Sequence, residues 1–233
     1  MKRQTRKDLK TDAFAQELGQ TVDFLSHHKA ESARYAAIGL AVLVIVGGTY
    51  FYMRHQTTVR QDALAEAMKL NNAVVSPTPQ PPNMNFPTQV ELDRAWTKAF
   101  TDVATNYHGH EEGAIAQIYL AAKQSDKGNF AEAEKMYKDV MDSAPTEYSG
   151  WARISLAQVY ASEGKMQEAR ALLEYLIAHP TQTISKEQAT LELAGILAKS
   201  NPADARKLVE PLRTSRTAVS RAAIDMAGLL PQN

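Results

Sequence analysis

The chain has 233 residues, 44% hydrophobic and 22% charged, with 26 basic and 26 acidic side chains. That length fits one compact domain of about 100–200 residues plus further segments, and the zero formal charge supplies no global field that would favour nucleic acid. Cysteine is absent, which excludes disulfides, thiol catalysis, cysteine-ligated zinc and lipid attachment through a thioether or thioester.

Residues 1–34 form a basic arm with seven Lys or Arg against five Asp or Glu. Within it Phe14, Leu18, Val22 and Leu25 recur at helical spacing. This stripe either rests on the inner leaflet beside the basic cluster or belongs to a solvated helix that sets topology. Tyr35 to Met53 follows as nineteen residues without a charge, closed by Arg34 and Arg54. At helical rise it spans about 28 Å, close to the hydrocarbon thickness of a bilayer. Tyr50, Phe51 and Tyr52 gather at its far end, where aromatic rings prefer the headgroup layer. A buried core helix seldom runs so long without a polar face. A cleaved signal peptide needs small residues where Thr49–Arg54 offers aromatics and a charge. An uncleaved signal anchor is therefore expected. Lys2, Arg3, Arg6, Lys7, Lys10, Lys29 and Arg34 precede the span, and only Arg54, Arg60 and Lys69 follow closely. The N-terminus is accordingly expected in the cytoplasm and the large domain outside.

His55 to Val75 continues as a polar helix with an apolar stripe (Val59, Ala63, Ala67, Leu70, Val74), a stalk or the first helix of a repeat. Residues 76–88 hold Pro77, Pro79, Pro81, Pro82 and Pro87 and are expected to be an extended loop, since interior prolines each remove a helical hydrogen bond. Helical periodicity resumes with Leu92, Trp96, Phe100, Val103 and Tyr107 on one face. The remaining chain, 89–233, shows no strand pattern.

An internal repeat organises this last part. Gly128 to Glu134 (GNFAEAE) recurs as Gly164 to Arg170 (GKMQEAR). Three columns repeat at a spacing of 36: Ala133, Ala169 and Ala205; Tyr137, Leu173 and Val209; Val140, Leu176 and Leu212. Trp96, Phe100 and Val103 match them upstream at 37, and Leu120-Ala121 recurs as Leu156-Ala157 and, slipped by one residue, as Leu193-Ala194. The pattern resembles the tetratricopeptide (TPR) repeat, in which two helices pair and successive pairs stack. Gly128 and Gly164 suit the turn that ends a first helix. Ala133 and Ala169 suit a close crossing, Tyr137 and Leu173 the space between repeats, and Pro145 and Pro180 the end of a second helix. Pro202 suits the first turn of a helix, and a last helix around Ala218 to Leu229 would cap the array. The expected fold is all-α: one transmembrane helix followed by a TPR-like α-solenoid of helix pairs.

Basic arm, apolar span ending in TYFYMRHQ, helical stalk and alanine-rich pairs together resemble the YfgM-type single-pass bacterial TPR proteins, ancillary to the Sec translocon. The resemblance implies an inner-membrane protein whose periplasmic TPR domain contacts the translocon, a periplasmic chaperone or emerging polypeptide clients. It offers no catalytic motif. The alternative is a structural scaffold for cell-envelope assembly, of peptidoglycan or of the outer membrane.

No cofactor and no catalytic residue is expected. His108, His110, Glu111 and Glu112 have metal-ligand chemistry, but they fall where the repeat needs a polar turn, and no metal site is assigned there. The resemblance places a partner-binding groove on the first helices of the pairs: Ile115, Ile118, Ala122 and Ser125, then Trp151, Ile154, Gln158 and Ser162. Trp151 and Ile154 equally suit packing between repeats, since core and groove share those helices.

Overall fold

The computed structural model describes residues 29–78, 84–215 and 217–231. The Phe14–Leu25 stripe of the arm and Pro79, Pro81 and Pro82 of the proline-rich segment lie outside the described residues. Helix α1 runs over Lys29–Lys69 without a proline. The chain divides inside it into two units, 1–58 and 59–233. In the first unit the large apolar side chains from Ile38 to Met53 are exposed, and the helix is long and apolar enough to cross a membrane. Such a helix bonds every internal peptide group to itself, as the absence of water in a bilayer core demands.

The second unit opens with the last three turns of α1. The helix does not reach Val75 as its periodicity suggested. It tightens into a single 3₁₀ turn at Leu70–Asn72, and Ala73 is extended. Val74–Val75 form strand β1, which pairs in parallel with β2 (Asn85–Phe86), Val74 opposite Asn85. The Val74 amide donates to the Met84 carbonyl (2.8 Å) and the Ser76 amide to that of Phe86 (3.0 Å). Two asparagines, two β-branched valines and a proline at 77 all favour leaving the helix here. The proline-rich segment therefore departs and returns through one short ladder.

Seven more helices follow among the described residues beyond α2 (Gln89–Asn106): α3 (Glu111–Asp126), α4 (Phe130–Ser143), α5 (Thr146–Ser162), α6 (Met166–Ala178), α7 (Lys186–Leu197), α8 (Pro202–Arg213) and α9 (Ser220–Leu229). Their starts are encoded locally. Thr88 accepts the Glu91 amide, Ser185 that of Gln188, and Asn201 that of Asp204 with Pro202 in the first turn, each satisfying an amide that the helix leaves unpaired. Gly128 and Gly164 end α3 and α5 at φ of 76° and 78°, a conformation that costs any residue with a Cβ.

The helices pack as pairs, α3 with α4, α5 with α6 and α7 with α8, and α9 closes the array against α8. The alanine column lies fully inside it: Ala133, Ala169 and Ala205 have no exposed surface. Tyr137, Leu173 and Val209 are buried beside them, as are Val140, Leu176 and Leu212. One core extends from Ala114 to Leu230, and a smaller one joins Ala67 of α1 to Phe100 and Val103 of α2 and to Ala116 and Leu120 of α3. The connection that precedes the slipped third copy is longer than the one before it. Residues 179–185 between α6 and α7 insert Ile184 into the core with no exposed surface, and Thr181 closes the loop by bonding Ile184 through both backbone and side chain.

Upstream of these three copies, Trp96 of α2 stands in the alanine column. Trp96 stacks on Phe100 at 4.1 Å, its indole nitrogen donates to Asn71 Oδ1 (2.7 Å), and the Lys123 ammonium lies 4.3 Å from the ring centroid. At the other end of the same helices Arg60 Nε meets Glu112 Oε2 at 3.1 Å, with the Glu112 side chain only 5% exposed. Glu112 also sits in the first turn of α3, where a negative charge is favoured by the helix dipole.

Gly113 marks the closest backbone approach. A Cβ there would stand 2.1 Å from the Tyr107 carbonyl oxygen, so α3 must shift to admit one. Gly113→Ala is expected to cost about 1–3 kcal/mol, the range for overpacking. Gly228→Ala, with open space around it, is expected to leave stability unchanged or raise it slightly. Thermal unfolding followed by circular dichroism distinguishes the two, and equal melting temperatures would refute the close approach.

Candidate functional site

Helix α5 presents one continuous stripe to the first-helix side of the array. Trp151, Ser155, Gln158 and Ser162 are spaced four, three and four apart and so share a face. Beside them on α3 lie Ala122 and Ser125. Between α3, α4 and α5 these small side chains leave a groove of about 350 Å³, which Gln158, Ser155 and Ser162 line together with Ala122, Ser125 and Asp126. Short side chains on both walls keep it open. Its floor is the phenol of Tyr137, 2% exposed, reaching across from α4. Burial pushes the tyrosine pKa up, and the neighbouring Ser155 and Ser125 hydroxyls oppose that shift. The hydroxyl stays protonated at neutral pH and gives the groove a polar base.

The residues expected to form the groove separate in the structure. Gln158 and Ser162 line it. Gln158 also donates to Glu192 Oε2 of α7 (3.3 Å), extending the polar surface to the next pair, and Ser162 bonds its own helix at the Gln158 carbonyl. Trp151 lies further along the same stripe and is 42% exposed. Ile115 is half-buried at the equivalent position of α3, and Ile118 is half-buried against the main core. Ile154 is 4% exposed and belongs to the core. Its direction differs from that of Trp151 by three residues, nearly a sixth of a turn, which is enough to carry it under the neighbouring helix. Ser155 was legible in the stripe but not singled out. Tyr137 was assigned only to filling the space between repeats, and nothing local in the sequence reveals that its hydroxyl reaches the groove.

The four residues of the His108–Glu112 turn face separate partners. His108 Nε2 lies 3.0 Å from Asp139 Oδ2, His110 caps α3 with its amide bonded to the Tyr107 carbonyl, Glu111 accepts the Tyr148 hydroxyl, and Glu112 holds Arg60. Burial and the adjoining Glu111 carboxylate hold the Tyr148 hydroxyl well above the usual tyrosine pKa. Among the described residues no three His, Asp or Glu side chains converge as a metal site would require.

With the paired helices and the groove in place, the comparison with known families is direct. The profile of the tetratricopeptide repeat-like domain matches residues 29–175, more than half of the chain, and the protein belongs to that family. No curated protein and no solved structure matches it. Repeat domains of this kind are generally non-catalytic modules that hold other proteins. The match begins at the first residue of α1 and ends within α6, and helices α7 to α9 continue the same pairing beyond it.

Exposure separates the two apolar side chains of α5. Ile154→Ala is expected to destabilise the protein by about 2–5 kcal/mol, as for other buried isoleucines, whereas Trp151→Ala should change stability by less than about 1 kcal/mol, as exposed positions do. Denaturant unfolding measures both. A loss at Trp151 as large as that at Ile154 would make the tryptophan a core residue and remove it from the binding face.

Proposed function

We propose that this chain is a non-catalytic, membrane-anchored interaction protein of the bacterial envelope. In this reading the N-terminus is cytoplasmic, α1 crosses the inner membrane once, and the repeat domain works in the periplasm. There it holds proteins at the Sec translocon, either translocon subunits or periplasmic chaperones and unfolded clients. Family membership supports an interaction module, and the basic excess before the apolar span supports the orientation. The observation that carries the reading is the α5 stripe: an aromatic side chain left 42% exposed beside a groove with a polar floor. Large exposed aromatics flanked by polar groups are the usual anchors of protein interfaces.

Two measurements test this. A periplasm-dependent phosphatase fused after Asn233 should be active, and activity of a cytoplasm-dependent reporter at the same site would overturn the orientation. A photoreactive residue replacing Trp151 in the full chain in cells should crosslink translocon subunits or a set of unrelated exported proteins. Crosslinks confined to peptidoglycan-synthesis or outer-membrane assembly proteins would instead favour an envelope scaffold and refute the translocon reading.

A further inference from the structure

A larger groove lies on the other side of the array. It lies between the second helices α2 and α4, is floored by α3, and has a volume of about 540 Å³. On α3 the mean direction of its floor residues, Gln117 and Leu120, is nearly opposite to that of Ala122, Ser125 and Asp126 of the Trp151-side groove at about 100° per residue. The two grooves are therefore independent surfaces.

The internal repeat shows how this chain fills the equivalent space one copy later. Counting along the repeat, Ala104 corresponds to Met141, Gln117 to Arg153 and Asp139 to Tyr175. In the second copy Met141 packs against the core, and the Arg153 guanidinium lies 4.3 Å from the Tyr175 ring centroid. A cation on a long alkyl stem thus occupies the cleft. In the first copy each of the three side chains is smaller. Gln117 Nε2 donates to Asp139 Oδ2 (2.7 Å) and to the Met136 carbonyl (3.2 Å), His108 makes the second contact to Asp139, and the space above Ala104, Leu120 and Met136 is left open. Two carboxylates, Asp139 and Glu132, stand on its α4 wall. Lys135 shares that wall, yet among the described residues no lysine or arginine pairs with either of them.

We propose that this groove binds a segment of a partner protein that presents an arginine beside an aliphatic side chain. The aliphatic part covers Ala104, Leu120 and Met136, and the guanidinium meets Asp139 in the place that Arg153 holds in the next copy. An arginine supplies both the planar donors a carboxylate prefers and the apolar stem that the floor requires. The site does not depend on the Trp151 face.

The test uses the full-length protein in lipid nanodiscs and a displayed library of random short peptides as the probe. Enriched peptides should carry arginine next to leucine, isoleucine or methionine. Their affinity should fall at least about tenfold in Gln117→Arg, which fills the groove from within, and in Asp139→Asn, which removes the charge; a charge-assisted contact is of that order. Neither variant should shift the melting temperature, because Arg153 shows that the fold accepts arginine at this position, and Trp151→Ala should bind the peptides as the wild type does. Enrichment without basic residues, binding unaffected by both groove variants, loss with Trp151→Ala, or no enrichment at all would each overturn the proposal. If Gln117→Arg fails to fold, the affinity of Asp139→Asn decides alone.

Discussion

At the crossing of each helix pair from α3 onward stands an alanine with no exposed surface: Ala133, Ala169, then Ala205. A methyl group lets the two helices approach closely, and closeness within a pair directs the larger neighbours outward into the next one. Tyr137 is the clearest case, a side chain of α4 that lines the same groove as Ser155 of α5. No pair could bury its apolar face alone, so stacking is obligatory. The first pair departs from this rule, since Trp96 stands in the alanine column. There Trp96 stacks on Phe100 of its own helix and bonds Asn71, while Arg60 of α1 pairs with Glu112 of α3, and an ion pair of that kind is more demanding of geometry than a methyl contact.

Periodicity made much of this legible. The alanine, aromatic and aliphatic columns fix which faces pair, while Gly128, Gly164 and Pro202 fix where helices turn and start, because those residues act through their own backbone. What escaped depends on partners distant in sequence. Ile184 enters the core from the loop before the third copy, yet nothing local distinguishes it from a surface isoleucine. The β1–β2 ladder joins segments on either side of residues 76–84, and two-residue strands carry no period. Of the residues expected in a groove, Gln158 and Ser162 line the pocket beside α5, whereas Ile154 lies in the core and is not separable from Trp151 by sequence spacing alone.

The repeat domain offers two surfaces of different character. The face that carries Trp151 combines one exposed aromatic with small hydroxyl side chains and a protonated phenol beneath them. The α2–α4 face is an apolar trough with carboxylates on one wall. Membership in a family of interaction modules says that partners are proteins; these two linings say what kinds of contact each face can make. Because α3 contributes to both through opposite sides, its position is pinned twice, by Gly113 against the turn after α2 and by Glu112 against Arg60.

The pairing of each helix with its immediate successor also governs how the domain is acquired. Apart from the return of the proline-rich segment, the core contacts join elements that are consecutive or one pair apart, so little chain must be looped before a contact forms. A polypeptide of this design can gain structure one hairpin at a time from its N-terminal side while the remainder is still being made. Each completed pair then presents the template on which the following one condenses, and α9 seats its small buried face of Ala223 and Ala227 against α8.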